Sequence, residues 1–276
     1  MTGAFAKPAC ACVLSRPTFD DLVGEVRHAV RGFAPAYSLD VIGRAPGGRE
    51  PLLRVTSRGR KNGLVVVAGF HGEEPAGPTA LGLHLHHLLG RALRLRVPLA
   101  IFPVANPSGY LRQARDSAEG QLTNAGFAHH FDRPCLESAA LKRSLERYDP
   151  TVFLDLHEDD KSAAGYLYSF GDEALASRVV QTLRSFVPIL AGPIPRSPEL
   201  VVVDGQVRNH CDGSVEDWMS HRGGFASLAT ETPTALPLEL RVAAQLRVVD
   251  ECLEAVARLR STLRSRRSRL SGSVPE

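Results

Sequence analysis

The apolar run Leu64–Ala68 breaks off at Gly69 and is followed closely by His71 and Glu74. A continuous, β-branched-rich run of this length suits a strand buried on both faces. Pro75 just beyond suits the first turn of a helix, where a missing N–H costs nothing. His71 and Glu74 therefore fall at the carboxyl end of a strand, the edge where ligands bind in open α/β sheets. An imidazole and a carboxylate three residues apart can converge on one cation, and zinc accepts both donor types.

Two later runs end in the same way. Residues 151–158 (TVFLDLHE) close on His157, and residues 225–233 (FASLATETP) carry Glu231 near their end. Three strand ends thus bring two imidazoles and two carboxylates to one edge. Three protein ligands with an open fourth position describe a catalytic zinc, whereas a structural zinc is usually closed by four ligands, often cysteines. With His71, Glu74 and His157 as ligands to one Zn2+, Glu231 is left free as a proton-accepting base.

At these residues the sequence resembles the zinc carboxypeptidase family, whose pattern is H-x-x-E, N-P-x-G, a distal D-x-H and a late glutamate. The matching residues are His71-Gly72-Glu73-Glu74, Asn106-Pro107-Ser108-Gly109, Asp155-Leu156-His157 and Glu231. Gly213-Ser214-Val215-Glu216-Asp217-Trp218 is similar to the family's G-S-x-D-W segment with one residue added. The resemblance spans roughly residues 39–233, and the order of the motifs is more specific than any one of them. The layout is most similar to the small bacterial members related to murein peptide amidases. The resemblance implies that Arg115 donates to the carbonyl oxygen that becomes negative, an electrostatic effect that is usually large; taken alone, Arg115 reads as a solvated arginine.

The chain also departs from the family pattern. Where D-x-N-R-N-F is usual it has Leu122-Thr123-Asn124-Ala125-Gly126-Phe127. Asn124 remains as a substrate-binding candidate. The guanidinium that clamps a terminal carboxylate has become Ala125, and the aspartate expected to orient His71 has become Leu122. The family's tyrosine before G-S has no counterpart. Arg208 in that neighbourhood either supplies the lost carboxylate anchor or is an exposed loop arginine. Glu216, where the family lines its side-chain pocket, either favours a cationic group or faces water.

Composition bounds the alternatives. With 276 residues, 43% of them apolar, the chain can bury one large core. A net charge of +3, with no basic stripe interleaved with aromatics, argues against a nucleic-acid partner. The sequence predicts no membrane segment and no signal peptide, so a cytoplasmic protein is expected. Five irregularly spaced cysteines argue against a disulfide framework, and Cys10 and Cys12 read as free thiols.

Periodicity predicts a capped helix over 18–31, a hairpin over 37–56, one helix over 75–89 and a strand over 97–104. A turn is expected at 106–109 and a long polar loop over 110–127. A helix over 172–187, a short strand at 200–203 and a polar segment over 205–224 follow, and a final helix over 238–263 closes the chain. His84, His86 and His87 are expected at the helix surface or its boundary rather than as ligands. The expected fold is α/β, a single domain (1–264) with a mixed, mainly parallel central sheet flanked by helices on both faces, followed by a basic, disordered tail (265–276). The function favoured by these residues is zinc-dependent cleavage of an amide bond in a small peptide or peptide-like substrate. The alternatives are an N-acyl amino acid deacylase of the succinylglutamate desuccinylase or aspartoacylase type, and a catalytically silent metal- or ligand-binding protein.

Overall fold

The computed structural model describes residues 14–58, 63–127 and 134–271, so Cys10 and Cys12 lie outside the described residues. Helix α1 (Phe19–Gly32) opens on a capping box in which the Asp21 N–H donates to the Thr18 hydroxyl and the Thr18 N–H donates to the Asp21 carboxylate, both at 3.1 Å. Its stripe of Leu22, Val23, Val26 and Val30 is buried. Then follow β1 (Tyr37–Arg44), β2 (Pro51–Ser57), β3 (Leu64–Ala68), α2 (Ala76–Leu83), α3 (Leu85–Leu95), β4 (Leu99–Phe102), α4 (Pro107–Arg112) and α5 (Leu136–Leu145). The second half comprises β5 (Val152–Asp159), β6 (Tyr166–Gly171), α6 (Glu173–Arg184), β7 (Gly192–Ile194), β8 (Ser197–Val202), β9 (Gln206–Arg208), α7 (Val215–Ser220), β10 (Ala226–Pro233) and α8 (Leu238–Ser271).

Eight strands form one mixed sheet in the order β1-β2-β4-β3-β5-β10-β6-β9, and β7 pairs with β8 in a separate ribbon. The centre, β4-β3-β5-β10, is parallel, while β1, β2 and β6 run antiparallel to their inner neighbours. Strand alternation divides the core in two. Leu64, Val66, Ala68, Leu154 and Leu156 pack with α1, α3, α6 and α8, whereas Val65, Val67 and Phe153 face Leu141 and Leu145 of α5 and Val215 and Met219 of α7. Helices therefore cover both faces, and the central strands, wholly buried, can be apolar throughout.

Several local expectations change. The helix expected over 75–89 is two, because His84 leaves helical geometry between α2 and α3. Asn106 does not close a turn: its side-chain oxygen accepts the Gly109 N–H at 2.8 Å and caps α4, with Pro107 in the first turn. The polar segment 205–224 contains β9 and α7. Helix α8 runs on to Ser271, so residues 265–271 of the expected tail are helical, and 272–276 lie outside the described residues. Long apolar runs are absent from α5, and β6 mixes tyrosine and serine with its apolar residues, which hides both elements from a periodicity argument. Among the described residues no helix is long and apolar enough to cross a membrane.

Candidate metal centre and its cleft

Strand register assembles the floor of the site. Ala68 pairs with Leu156, so the turn after β3 projects beyond the sheet edge beside the end of β5. Glu231 on β10 lies directly beside His157 on β5. The turn is tightly constrained: Gly69 has φ +72, and a Cβ on Gly72 would fall 2.0 Å from the Gly109 backbone. The Gly72 N–H donates to the Ala114 carbonyl at 2.9 Å. The Arg16 guanidinium donates to the Gly72 and Tyr110 carbonyls at 2.7 and 2.6 Å and lies 4.1 Å from the Tyr110 ring centre.

His71, Glu74 and His157 are all buried, and a donor atom from each lies within 4.8 Å of the other two. His71 Nδ1 is 2.6 Å from Glu74 Oε1, and His157 Nδ1 is 3.0 Å from Glu74 Oε2. The other nitrogen of His157, Nε2, lies 2.9 Å from Asp155 Oδ2, and Asp155 is itself fully buried. Asp155 lies two residues before His157, so strand alternation puts both on one face. Burial alone would lift the Glu74 pKa, but His71 and His157 outweigh it and hold the carboxyl well below its usual range. Burial would likewise depress His157, yet Asp155 and then Glu74 hold its imidazole well above the ordinary value. The same surroundings that favour a positive charge on the imidazole favour a cation beside it. Two imidazoles, one carboxylate and a carboxylate behind one imidazole therefore form a donor set that suits zinc.

Helix α8 fixes this edge from behind. Gln245 Nε2 donates to the His157 carbonyl at 3.0 Å and to Thr232 Oγ1 at 2.9 Å. Arg241 pairs with buried Glu158, which also accepts the Ala76 N–H at 2.7 Å. A cleft of about 170 Å³ opens over the floor, lined by Glu74, Arg115, Glu158, Asp159, Tyr166, Tyr168 and Glu231, with Ile194, Arg196 and Ser197 from the β7–β8 ribbon.

Glu231 is half-buried, and its Oε2 is shielded from solvent without a hydrogen-bond partner. Burial, opposed by His157 and reinforced by Glu74 and Asp159, pushes its pKa well above the usual carboxyl range. A carboxylate that holds a proton readily and carries an unused oxygen is equipped to accept and return one. Arg115 lies within ion-pair range of the site: Nη1 is 3.5 Å from Glu74 Oε1 and 3.6 Å from Glu73 Oε1.

None of the three substrate-binding candidates is among the residues lining this cleft. Asn124 Oδ1 accepts the Val215 N–H at 2.8 Å and so holds the start of α7. Arg208 is exposed on β9, the outermost strand. Glu216 is turned inward, with Oε2 buried and unpartnered; burial and Asp155 push its carboxyl up to about 7. Leu122, where an aspartate was expected to orient His71, is exposed, and backbone bonds at Gly72 hold the turn instead. A second grouping of Glu119, Cys135 and Glu137 also meets within 4.8 Å. Its donors already serve local structure: Cys135 Sγ accepts the Ser138 N–H that opens α5, and Glu137 accepts the Ser108 N–H.

Residues that sequence reasoning passed over are Arg16, Tyr166 and Tyr168. A lone arginine ahead of a helix cap carries no signal, whereas the two tyrosines, spaced by two, were available as a strand face. The expectation for His86 and His87 agrees with their exposure, and His87 Nε2 lies 3.3 Å from Asp250.

No protein-family profile matches the chain, and no curated protein matches it significantly. Solved structures do. A provisionally assigned metallopeptidase from Shewanella baltica superposes with a TM-score of 0.76 at 27% identity, over 86% of this chain and 92% of that one. A like-named protein from Shewanella denitrificans gives 0.75 at 25% identity, over 86% and 90%. A metallo-carboxypeptidase from Burkholderia cenocepacia shares the fold, with a TM-score of 0.63 at 18% identity over 85% and 70%.

Proposed function

We propose that this chain, which is similar in structure to metallopeptidases and metallo-carboxypeptidases, is a zinc-dependent hydrolase of an amide bond in a small peptide or peptide-like substrate. The observation that carries this reading is the convergence of His71, Glu74 and His157 on one point with Glu231 in the same cleft. His71 and His157, through Nδ1, and the Glu74 carboxylate would hold the ion. When bound, zinc supplies Lewis acidity and makes water a stronger acid. Asp155 keeps the His157 ring oriented by accepting from Nε2. Glu231 takes a proton at its unpartnered Oε2 from the water whose oxygen bonds to the carbonyl carbon, and returns it to the amine nitrogen as the C–N bond breaks. Arg115 donates to the carbonyl oxygen as negative charge gathers there.

The cleft volume of about 170 Å³ supports a small substrate, because sites for drug-sized ligands usually run from about 300 Å³ upward. That size also favours an N-acyl amino acid as a second reading. The two are separated by assaying zinc-reconstituted and chelator-treated protein on short peptides, murein peptides and acyl-amino acids. Zinc-dependent turnover of peptides is expected. Turnover of acyl-amino acids alone would assign a deacylase, and zinc binding without turnover of any of them would favour a binding protein.

A further inference from the structure

We propose that Tyr168 is a substrate-contacting residue that donates its phenolic proton to a substrate oxygen beside the amide bond served by Glu231. This assignment rests on the hydrolase reading above. Strand β6 runs antiparallel to β10 with Tyr166 opposite Glu231 and Tyr168 opposite Ala229, so alternation puts both tyrosines on the face that carries Glu231. Both phenols line the same cleft as Glu231 and Arg115.

Their situations differ. Tyr166 is buried, and its hydroxyl donates to Asp159 Oδ2 at 2.9 Å. A phenol has one proton to give, so Tyr168 is the donor wherever the two phenols meet, and a substrate oxygen would take the place of the Tyr166 oxygen as its acceptor. Tyr168 is only half-buried; its ring packs edge-on against Tyr166, at 5.7 Å between centres, and lies 6.0 Å from the His210 ring. These contacts hold the ring where it lines the cleft. Burial and then the Glu231 carboxylate push its pKa up, so the group keeps its proton across neutral pH. The chemistry it recognises is an oxygen acceptor, either a peptide carbonyl or a carboxylate.

Tyr168→Phe keeps the ring packing and removes only the hydroxyl. The test uses zinc-reconstituted parent and variant on N-acetyl dipeptides, each as free acid and as carboxamide. Binding of the same peptides is measured by calorimetry in a Glu231→Gln background, where turnover is suppressed. The expected result is a loss in kcat/KM and in affinity of about tenfold to a hundredfold, with zinc content and Tm unchanged. A loss confined to free acids identifies the acceptor as a carboxylate; a loss in both forms identifies a peptide carbonyl. Values within about twofold of the parent in both measurements would overturn the assignment while leaving the hydrolase reading intact. Tyr168-dependent binding without turnover in the parent would sink the hydrolase reading and keep the assignment. Peptides neither bound nor cleaved would overturn both.

Discussion

His157 and Glu231, on the floor of the cleft, owe their places to the register of two buried parallel strands. Arg115, Asn124 and Arg196 stand instead on segments outside the central sheet. Arg115 is held through its carbonyl, which accepts from Asn106 Nδ2 at 3.3 Å; Asn124 is tied to Val215; and Arg196 pairs with Asp160 across the rim. Slipping a buried strand by one residue would turn every side chain to the wrong face, so the floor is specified by the whole core. These outer segments depend on single bonds of about 1 kcal/mol each. The difference teaches that chemistry common to a fold can sit on its sheet while selectivity is left to its loops.

That contrast can be broken at its strongest point by Glu231→Gln. The variant keeps the shape of the floor, so zinc should stay bound while turnover falls by about 10² to 10⁴; metal analysis beside a rate assay checks both. Next in size is Asp155→Asn, which removes the carboxylate behind His157. Zinc affinity measured by chelator competition should fall by about tenfold to a hundredfold, and an unchanged affinity would mean that the buried carboxylate does not support the centre.

Smaller effects are expected in the segments outside the sheet. Asn124→Ala leaves the Val215 N–H without its acceptor and should cost about 1 kcal/mol of stability, read as a shift in denaturant midpoint with zinc content unchanged. If peptide affinity collapsed while stability held, Asn124 would be a substrate residue after all. The smallest effect belongs to Glu137, whose carboxyl is raised mainly by burial. Because the folded state holds this proton more tightly than the unfolded chain, its contribution is full below the ordinary glutamic acid value. It is lost as pH rises through the raised one. Tm measured against pH should therefore decline less steeply over that window in Glu137→Gln than in the parent.

The floor was legible in the sequence for the reason that makes it rigid. Apolar runs ending in His or Glu announce buried strands, and the parallel centre of the sheet aligns their carboxyl ends. The flanking helices α1 and α6 were equally plain, since each combines a capping residue with an apolar stripe. The outer segments were not legible because their contacts join residues far apart in sequence without any period. Arg16 reaches Gly72 and Tyr110, and Asn124 reaches Val215. Arg208 and Glu216 were singled out by their place near a motif, but β9 carries one to the sheet edge and the first turn of α7 turns the other inward. The split at His84 and the cap at Asn106 are local choices that an apolar stripe does not encode.

The central claim is that His71, Glu74 and His157 hold one zinc ion. Elemental analysis of the purified parent and of His71→Ala, each after dialysis against limiting zinc, tests it most directly. About one zinc per chain in the parent, and a clear loss in the variant without loss of the folded state, is the predicted result. A parent that takes up no zinc, or a variant that retains it in full, would contradict the account.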